Sequence, residues 1–377
     1  MAEKLSAVDS ISPAFERTKR ILFQPFRLGL WGRLAIVALV TGEIGGGGGG
    51  GSSLGNIHAP QTGDNHWRRA AQFVSGPGWD QVQPYLFWIT LGGVCLLGLV
   101  VLWMYCDSVY RFILLDAVLT RECELKEGWR RWREAGRRYL LWVLAYGFGS
   151  LIVLGVAVGL PVLMAASAGW FDHPDDHLGG LIGGGILFFL AVLALLMLLA
   201  AIDLIARDFL VPVMALERVG AMEGWDRLKE ILMPEKGAVG MYVLMKIVLS
   251  IGSAIIFTIL NLLVILILII PLGLVGVILY AAGAGAKIQW DPSAALLFVA
   301  FILLVIAGLL YVIAFVYAPG LVFFQSYAVE FFGSRYEPLR KKLMPEGSES
   351  PATPTPTSPP RRPLPPWPQM PPESAPG

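Results

Sequence analysis

The stretch from Lys246 to Lys287, KIVLSIGSAIIFTILNLLVILILIIPLGLVGVILYAAGAGAK, decides the fold. Its forty interior residues carry no charged side chain. About 20 apolar residues of helix cross a bilayer core of about 30 Å, and a soluble domain has no use for a run twice that long. The run has room for one tilted helix with a short re-entrant piece, or for two tight helices. Asn261 is the amide in its middle, where hydrogen bonding between helices is the default role.

Outward from this run, other charge-free stretches repeat the signal. Gln81–Cys106 is 26 residues, Tyr139–Phe171 is 33, Leu178–Ile202 is 25 and Pro292–Val329 is 38. A fainter span near 28–44 contains Arg33 and Glu43, which would have to reach the two interfaces. The expectation is an all-α, polytopic integral membrane bundle of about six transmembrane helices. They fall near 28–44, 83–106, 139–160, 179–203, 241–268 and 294–318 of a domain covering 1–344. Composition agrees: 55% of residues are apolar and 15% charged, against ~25% charged in soluble domains, and mean hydropathy is +0.64. Met1–Arg33 holds nine charges and no compact apolar core before a cleavage site, so the first span is expected to stay as an anchor. Cys95, Cys106 and Cys123 make no disulfide framework.

Orientation follows from Lys and Arg. With both termini cytosolic, segments 1–33, 106–138, 206–237 and the tail from 330 hold 6, 8, 5 and 6 basic residues, 25 together. The outer loops hold three, Arg68, Arg69 and Lys287, and Lys246 falls within a span. Trp31, Trp129, Trp132, Trp142 and Trp225 then gather at the inner edge, and Trp79, Trp170 and Trp290 at the outer, the depths indoles prefer.

The charged segments repeat. Asp107, Arg111, Glu127, Gly128, Trp129 and Arg131 recur as Asp203, Arg207, Glu223, Gly224, Trp225 and Arg227, all offset by 96. Phe15, Arg17, Lys19, Ile21 and Leu22 match Trp225, Arg227, Lys229, Ile231 and Leu232 at offset 210. Three units emerge, each a basic amphipathic helix, a helix going out to a breaker (Gly45, Pro161 or Pro271) and a helix returning. Trp129, Trp225, Arg131 and Arg227 read as interfacial anchors, with anionic headgroups of the inner leaflet as their partners. Asp107–Arg111 and Asp203–Arg207 are acid-first i,i+4 pairs. They ease charges through the boundary or, on a sharper reading, line a polar gate.

All four histidines fall in the outer loops. His173, Asp175, Asp176 and His177 carry donors suited to a divalent-metal site, but a polar turn between spans is their ordinary explanation, and Pro174 breaks any one-face helical spacing. Gly45–Gly51 is a flexible run without the Lys and Ser/Thr of a phosphate loop. Of the 33 residues from Pro345 to Gly377, 13 are proline, an extended, disordered tail. Within it Pro359–Trp367 is a polyproline-type ligand for an aromatic groove, or a solubilising linker. No catalytic constellation, cofactor motif or nucleic-acid partner is read.

The repeated segments, with Glu127-Gly128-Trp129 and Glu223-Gly224-Trp225 at their centre and the glycine-rich outer loop, resemble uncharacterised bacterial integral membrane proteins. These are related to the membrane domain attached to some glycerophosphodiester phosphodiesterases. The resemblance covers residues 11 to about 340 and lacks the soluble phosphodiesterase barrel. It implies a bacterial cytoplasmic membrane location and no catalytic activity. The expected role is a non-enzymatic scaffold or accessory protein; the alternatives are a small-molecule or lipid transporter or channel, and a membrane enzyme using the outer His/Asp loop. Single cysteines at positions 60, 175, 288 and 350 of a cysteine-free chain test the orientation. The first three are expected to label from outside intact cells, and position 350 only after permeabilisation.

Overall fold

The computed structural model describes residues 5–42, 79–169, 178–286 and 292–343. Among them there is no strand. Two short helices, α1 (Ile11–Phe23) and α2 (Leu28–Val40), open the chain; α3 (Trp79–Thr120) and α4 (Leu125–Ser167) follow. Next come α5 (Leu178–Ile205), a π-helical segment (Ala206–Leu210), α6 (Val211–Glu217) and α7 (Ala221–Leu232). A 3₁₀ turn leads into α8 (Lys236–Ala286), then α9 (Pro292–Gly333) and α10 (Glu337–Leu343).

Five helical stretches are long and apolar enough to cross a membrane: Leu86–Thr120, Leu125–Ser167, Ile182–Glu217, Ala221–Ile270 and Phe298–Gly333. They carry five of the six expected spans. The sixth, near 28–44, is α2, with 13 residues, or about 20 Å of helix. Leu30, Leu34, Ala35, Val37 and Ala38 of α2 are buried, against α3 and α9. Protein covers the buried face of this segment, and Arg33 donates to the Cys123 carbonyl at 2.8 Å.

Two of the three expected breakers do not break; Gly45 lies outside the described residues. Pro161 lies inside α4, which runs on to Ser167, and α8 continues across Pro271 as one helix of 51 residues. With no water to take up freed amides and carbonyls, a chain in hydrocarbon does better to remain helical around one missing bond. The forty-residue run is therefore a single helix over its described length, neither a hairpin nor a helix with a re-entrant piece.

Burial is concentrated at one end. The side chains of Phe112, Tyr139, Phe209, Leu228, Tyr242, Tyr327 and Phe332 form one cluster there, and Leu22, Leu34, Val37, Val109, Ile113 and Val322 a second. The spanning halves are the reverse. Leu151, Ile255 and Leu303 are 68%, 58% and 60% exposed, and the most apolar windows of the five long stretches are no more than 6% buried. Leaving one such side chain in water forfeits about 1.5–3 kcal/mol, so these faces belong in a bilayer.

At the buried end three amphipathic helices are seated alike. The start of α4 sits on α3, α7 on the π segment and α6, and α1 on α9, which joins the two ends of the chain. Each seat has a small buried residue at the same register: Gly128, Gly224 and Ala14. A Cβ on Gly128 would stand 3.0 Å from Cγ1 of Ile113, and one on Gly224 2.8 Å from Cδ1 of Leu210. One turn further on, each helix holds an arginine on a carboxylate of the helix beneath. These are Arg131 on Asp116 (3.1 Å), Arg227 on Glu217 (3.7 Å) and Arg17 on Glu330 (2.5 Å). The first two arginines are more than half exposed, so their pairs contribute at most about 1 kcal/mol and serve mainly to set register.

Candidate functional site

The most unusual chemistry at the buried end is an ionic cluster between the π segment and α8. Tyr242 and Lys246 are four residues apart and share one face of α8. Lys246 donates to both carboxylate oxygens of Asp208, at 2.7 and 2.5 Å, and the Tyr242 hydroxyl donates to Oδ2 at 2.7 Å. Lys246 is 2% exposed, Asp208 4% and Tyr242 not at all. A π turn holds one more residue than the α turn it replaces and recurs at functional positions; here it carries Asp208.

Aromatic rings close the cluster off. Tyr242 stacks on Tyr327 and Phe331, with centroids 5.1 and 4.5 Å apart, and Phe209 lies 4.9 Å from Tyr242. The N-terminal arm is tied to the same place. The Tyr327 hydroxyl donates to the Ala7 carbonyl at 2.9 Å. Arg335 lies over the Phe331 ring at 3.9 Å, and it donates to Glu235 at 2.8 Å and to the Leu5 carbonyl at 3.0 Å. The cluster therefore joins α8, α9, the π segment and the start of the chain. Taking two charges from water costs several kcal/mol per ion, repaid only when geometry and extra hydrogen bonds are good. Here the two charges satisfy each other and a phenol completes the set. This arrangement holds helices together; it does not expose a reactive group.

The residues singled out from sequence fall as follows. Asp107 and Arg111 pair at 3.0 Å, and Asp203 and Arg207 at 2.5 Å. Both pairs lie within electrostatic reach of the buried Tyr139 hydroxyl, so the two copies of the motif meet around one side chain of α4. Trp129 is half-buried, edge-on to Tyr105 and Tyr110 of α3, and Trp225 lies against Trp142. Each of these two indoles keeps part of its surface open while packing on the neighbouring rings. Asn261 does not bridge helices: its amide nitrogen donates to the Phe257 carbonyl of its own helix at 3.0 Å. Lys246, placed within a span by its neighbours, is covered by protein. His173, Asp175, Asp176, His177, Gly45–Gly51 and the tail 345–377 lie outside the described residues. Among the described residues no group of three or more His, Cys, Asp or Glu comes together as metal ligands.

Cys123 and Tyr336, near helix ends, titrate away from their ordinary values. Burial pushes the Cys123 thiol up to about 11, against the opposing pull of Arg33, so it stays a protonated, unreactive thiol at neutral pH. Burial, and then the hydrogen bond to Glu217, raise the Tyr336 phenol.

Sequence reasoning missed Asp208 for a physical reason. Its partners stand 34 and 38 residues away, with no local spacing to betray them. The 96-residue offset holds at Arg111/Arg207 and again at Gly128/Gly224. Between these the left-handed Arg121 (φ 60) and Arg218 (φ 57) are 97 apart. The residue added at the π segment is taken back in the next loop, so the motif hides the insertion.

With its described residues helical and free of strands, and five long apolar helices tied at one charged end, the chain is a polytopic integral membrane protein. The model of a family described as "Family of unknown function (DUF7544)" matches residues 5–341, and the chain belongs to that family. The match brings no link to the membrane domains of glycerophosphodiester phosphodiesterases. No curated protein and no solved structure matches the chain.

Replacing Lys246 by Met strands the Asp208 carboxylate in the aromatic core. Unfolding in detergent, followed by temperature, is expected to show a loss of about 3–5 kcal/mol. The double variant Lys246→Met/Asp208→Leu is expected to recover most of it. Equal, small effects of both would mean the pair is not closed in the folded protein.

Proposed function

We propose that this chain is a non-enzymatic scaffold or accessory protein of the cytoplasmic membrane, with its charged end and both termini on the cytosolic side. The observation that carries this reading is the division of the molecule. The packed, charged, hydrogen-bonded part lies at one end, and the spanning halves turn nearly uniform apolar faces outward. A transporter builds its site from polar groups or broken helices at mid-depth. Here α4 and α8 run unbroken through Pro161 and Pro271, and the spanning windows are too exposed to enclose a shared path.

Three like units support the same reading. Arg17, Arg131 and Arg227, at equivalent positions of the sequence repeat, each seat an amphipathic helix on a returning one. This makes a rigid platform from helix ends. On that platform a cavity of about 680 Å³ is lined by Arg131, Arg138, Arg218 and Lys342 as well as Asp116 and Glu134. It is a polar surface suited to a protein partner. The proline-rich tail 345–377 is a second candidate contact, and the inner leaflet's anionic headgroups are the third. Kinship with the phosphodiesterase-attached membrane domains, carried by the two Glu-Gly-Trp motifs, would fit a supporting role without catalysis.

Photo-crosslinking residues placed singly at Arg138, Trp367 and Leu151 in native membranes test this. The first two are expected to yield discrete protein adducts and Leu151 only lipid adducts. No protein adduct from either Arg138 or Trp367, together with solute flux in proteoliposomes, would replace the scaffold by a transporter.

A further inference from the structure

Two grooves at the charged end occupy the same register of the repeat. The first opens beside α1, between Phe15, Lys19 and Phe23 and the facing Ile256 and Phe257 of α8 and Phe323 of α9, with a volume of about 340 Å³. Its floor is Gly320, where a Cβ would stand 2.6 Å from the Phe257 ring. The second opens beside α7, between Trp225, Lys229 and Met233 and the facing Ile205 and Val239, with a volume of about 240 Å³. Phe15, Lys19 and Phe23 match Trp225, Lys229 and Met233 at the 210-residue offset that relates the two amphipathic helices. Two amphipathic helices 210 residues apart in the chain thus present an aromatic wall, a lysine one turn on and a large apolar residue after it.

We propose that each groove holds one anionic phospholipid of the adjoining leaflet, its acyl chain along the apolar walls and its phosphate on Lys19 or Lys229. Three observations fix the occupant. The walls are apolar side chains contiguous with spanning helices, so what fills them comes from the bilayer. Phe15 and Phe23 stay 60% and 54% exposed, which in a protein otherwise well packed at this end marks surface awaiting a cover. The rim is cationic: Lys19 has no carboxylate partner among the described residues, and Lys229 has only an exposed contact to Asp226 at 3.2 Å, which a phosphate displaces at small cost. Lys236 adds a second cation to the α7 groove. A phosphate ester accepts charge-assisted hydrogen bonds from such amines, and the lysine stem can lie along the chain below.

The proposal deepens the membrane-platform reading, and rests on it only for which leaflet supplies the lipid; binding in detergent is independent of orientation. Full-length protein is delipidated in detergent and titrated with phosphatidylglycerol under native mass spectrometry. One tightly held molecule per groove is expected. Lys19→Glu and Lys229→Glu should each remove one of the two, with affinity at that groove falling about fivefold or more. Lys19→Arg and Lys229→Arg should retain both. Phosphatidylcholine should bind more weakly, and inorganic phosphate should displace neither lipid. Both lysines are on the surface, so the variants are expected to remain monodisperse with unchanged unfolding temperatures. Undiminished lipid retention by the double Lys→Glu variant overturns the proposal. So does equal binding of phosphatidylcholine, or displacement by phosphate alone, which would make these sites for a free anion.

Discussion

Charge cannot follow a helix into hydrocarbon, and this constraint organises the molecule. The five long helices run through apolar stretches with almost no ionisable groups, and their charges collect where the stretches end. There the charged side chains must be hydrated, paired or covered. The chain does all three: exposed arginines on the three seating helices, partly shielded pairs at Asp107–Arg111 and Asp203–Arg207, and one sealed pair, Lys246–Asp208, inside an aromatic shell. The sealed pair joins the most helices. It binds α8, the longest and otherwise least supported helix, to the π segment, and its shell brings in α9 and the N-terminal arm.

A protein built this way is folded from its ends. Between helices in lipid there is little hydrophobic gain, since lipid tails are as apolar as leucine. What association needs is close packing and polar glue, and both are found at the charged end. The small residues Ala14, Gly128 and Gly224 let helices seat closely, and arginine–carboxylate pairs set their register. Further along, one cross-helix bond stands out, from the Tyr146 hydroxyl to the Leu199 carbonyl at 2.6 Å. The contact of α1 with α9 closes the arrangement, because the amphipathic helix that meets the last returning helix is the first in the chain.

Much of this was legible in the residues, and what was not has physical causes. Charge-free runs located the five long helices because the cost of a lipid-facing charge is local and large. The i,i+4 acid–base pairs were legible because a helix brings such partners together by its own geometry. The role of the prolines was misread: in water Pro161 and Pro271 would mark ends, while in lipid the helix persists. Asp208 and Lys246 were illegible as partners, since long-range pairing leaves no spacing signal and the π segment's extra residue is cancelled within one loop.

The central claim is that the helices are tied at the charged end and bathed in lipid elsewhere. Spin labels at Leu151, Ile255, Leu303 and Arg138 of protein in bilayer nanodiscs test it directly, through collision with oxygen, which concentrates in lipid, and with a water-soluble nickel chelate. The account predicts oxygen-dominated collision at Leu151, Ile255 and Leu303 and nickel-dominated collision at Arg138. Shielding of the first three sites from both reagents, or their exposure to nickel, would contradict it.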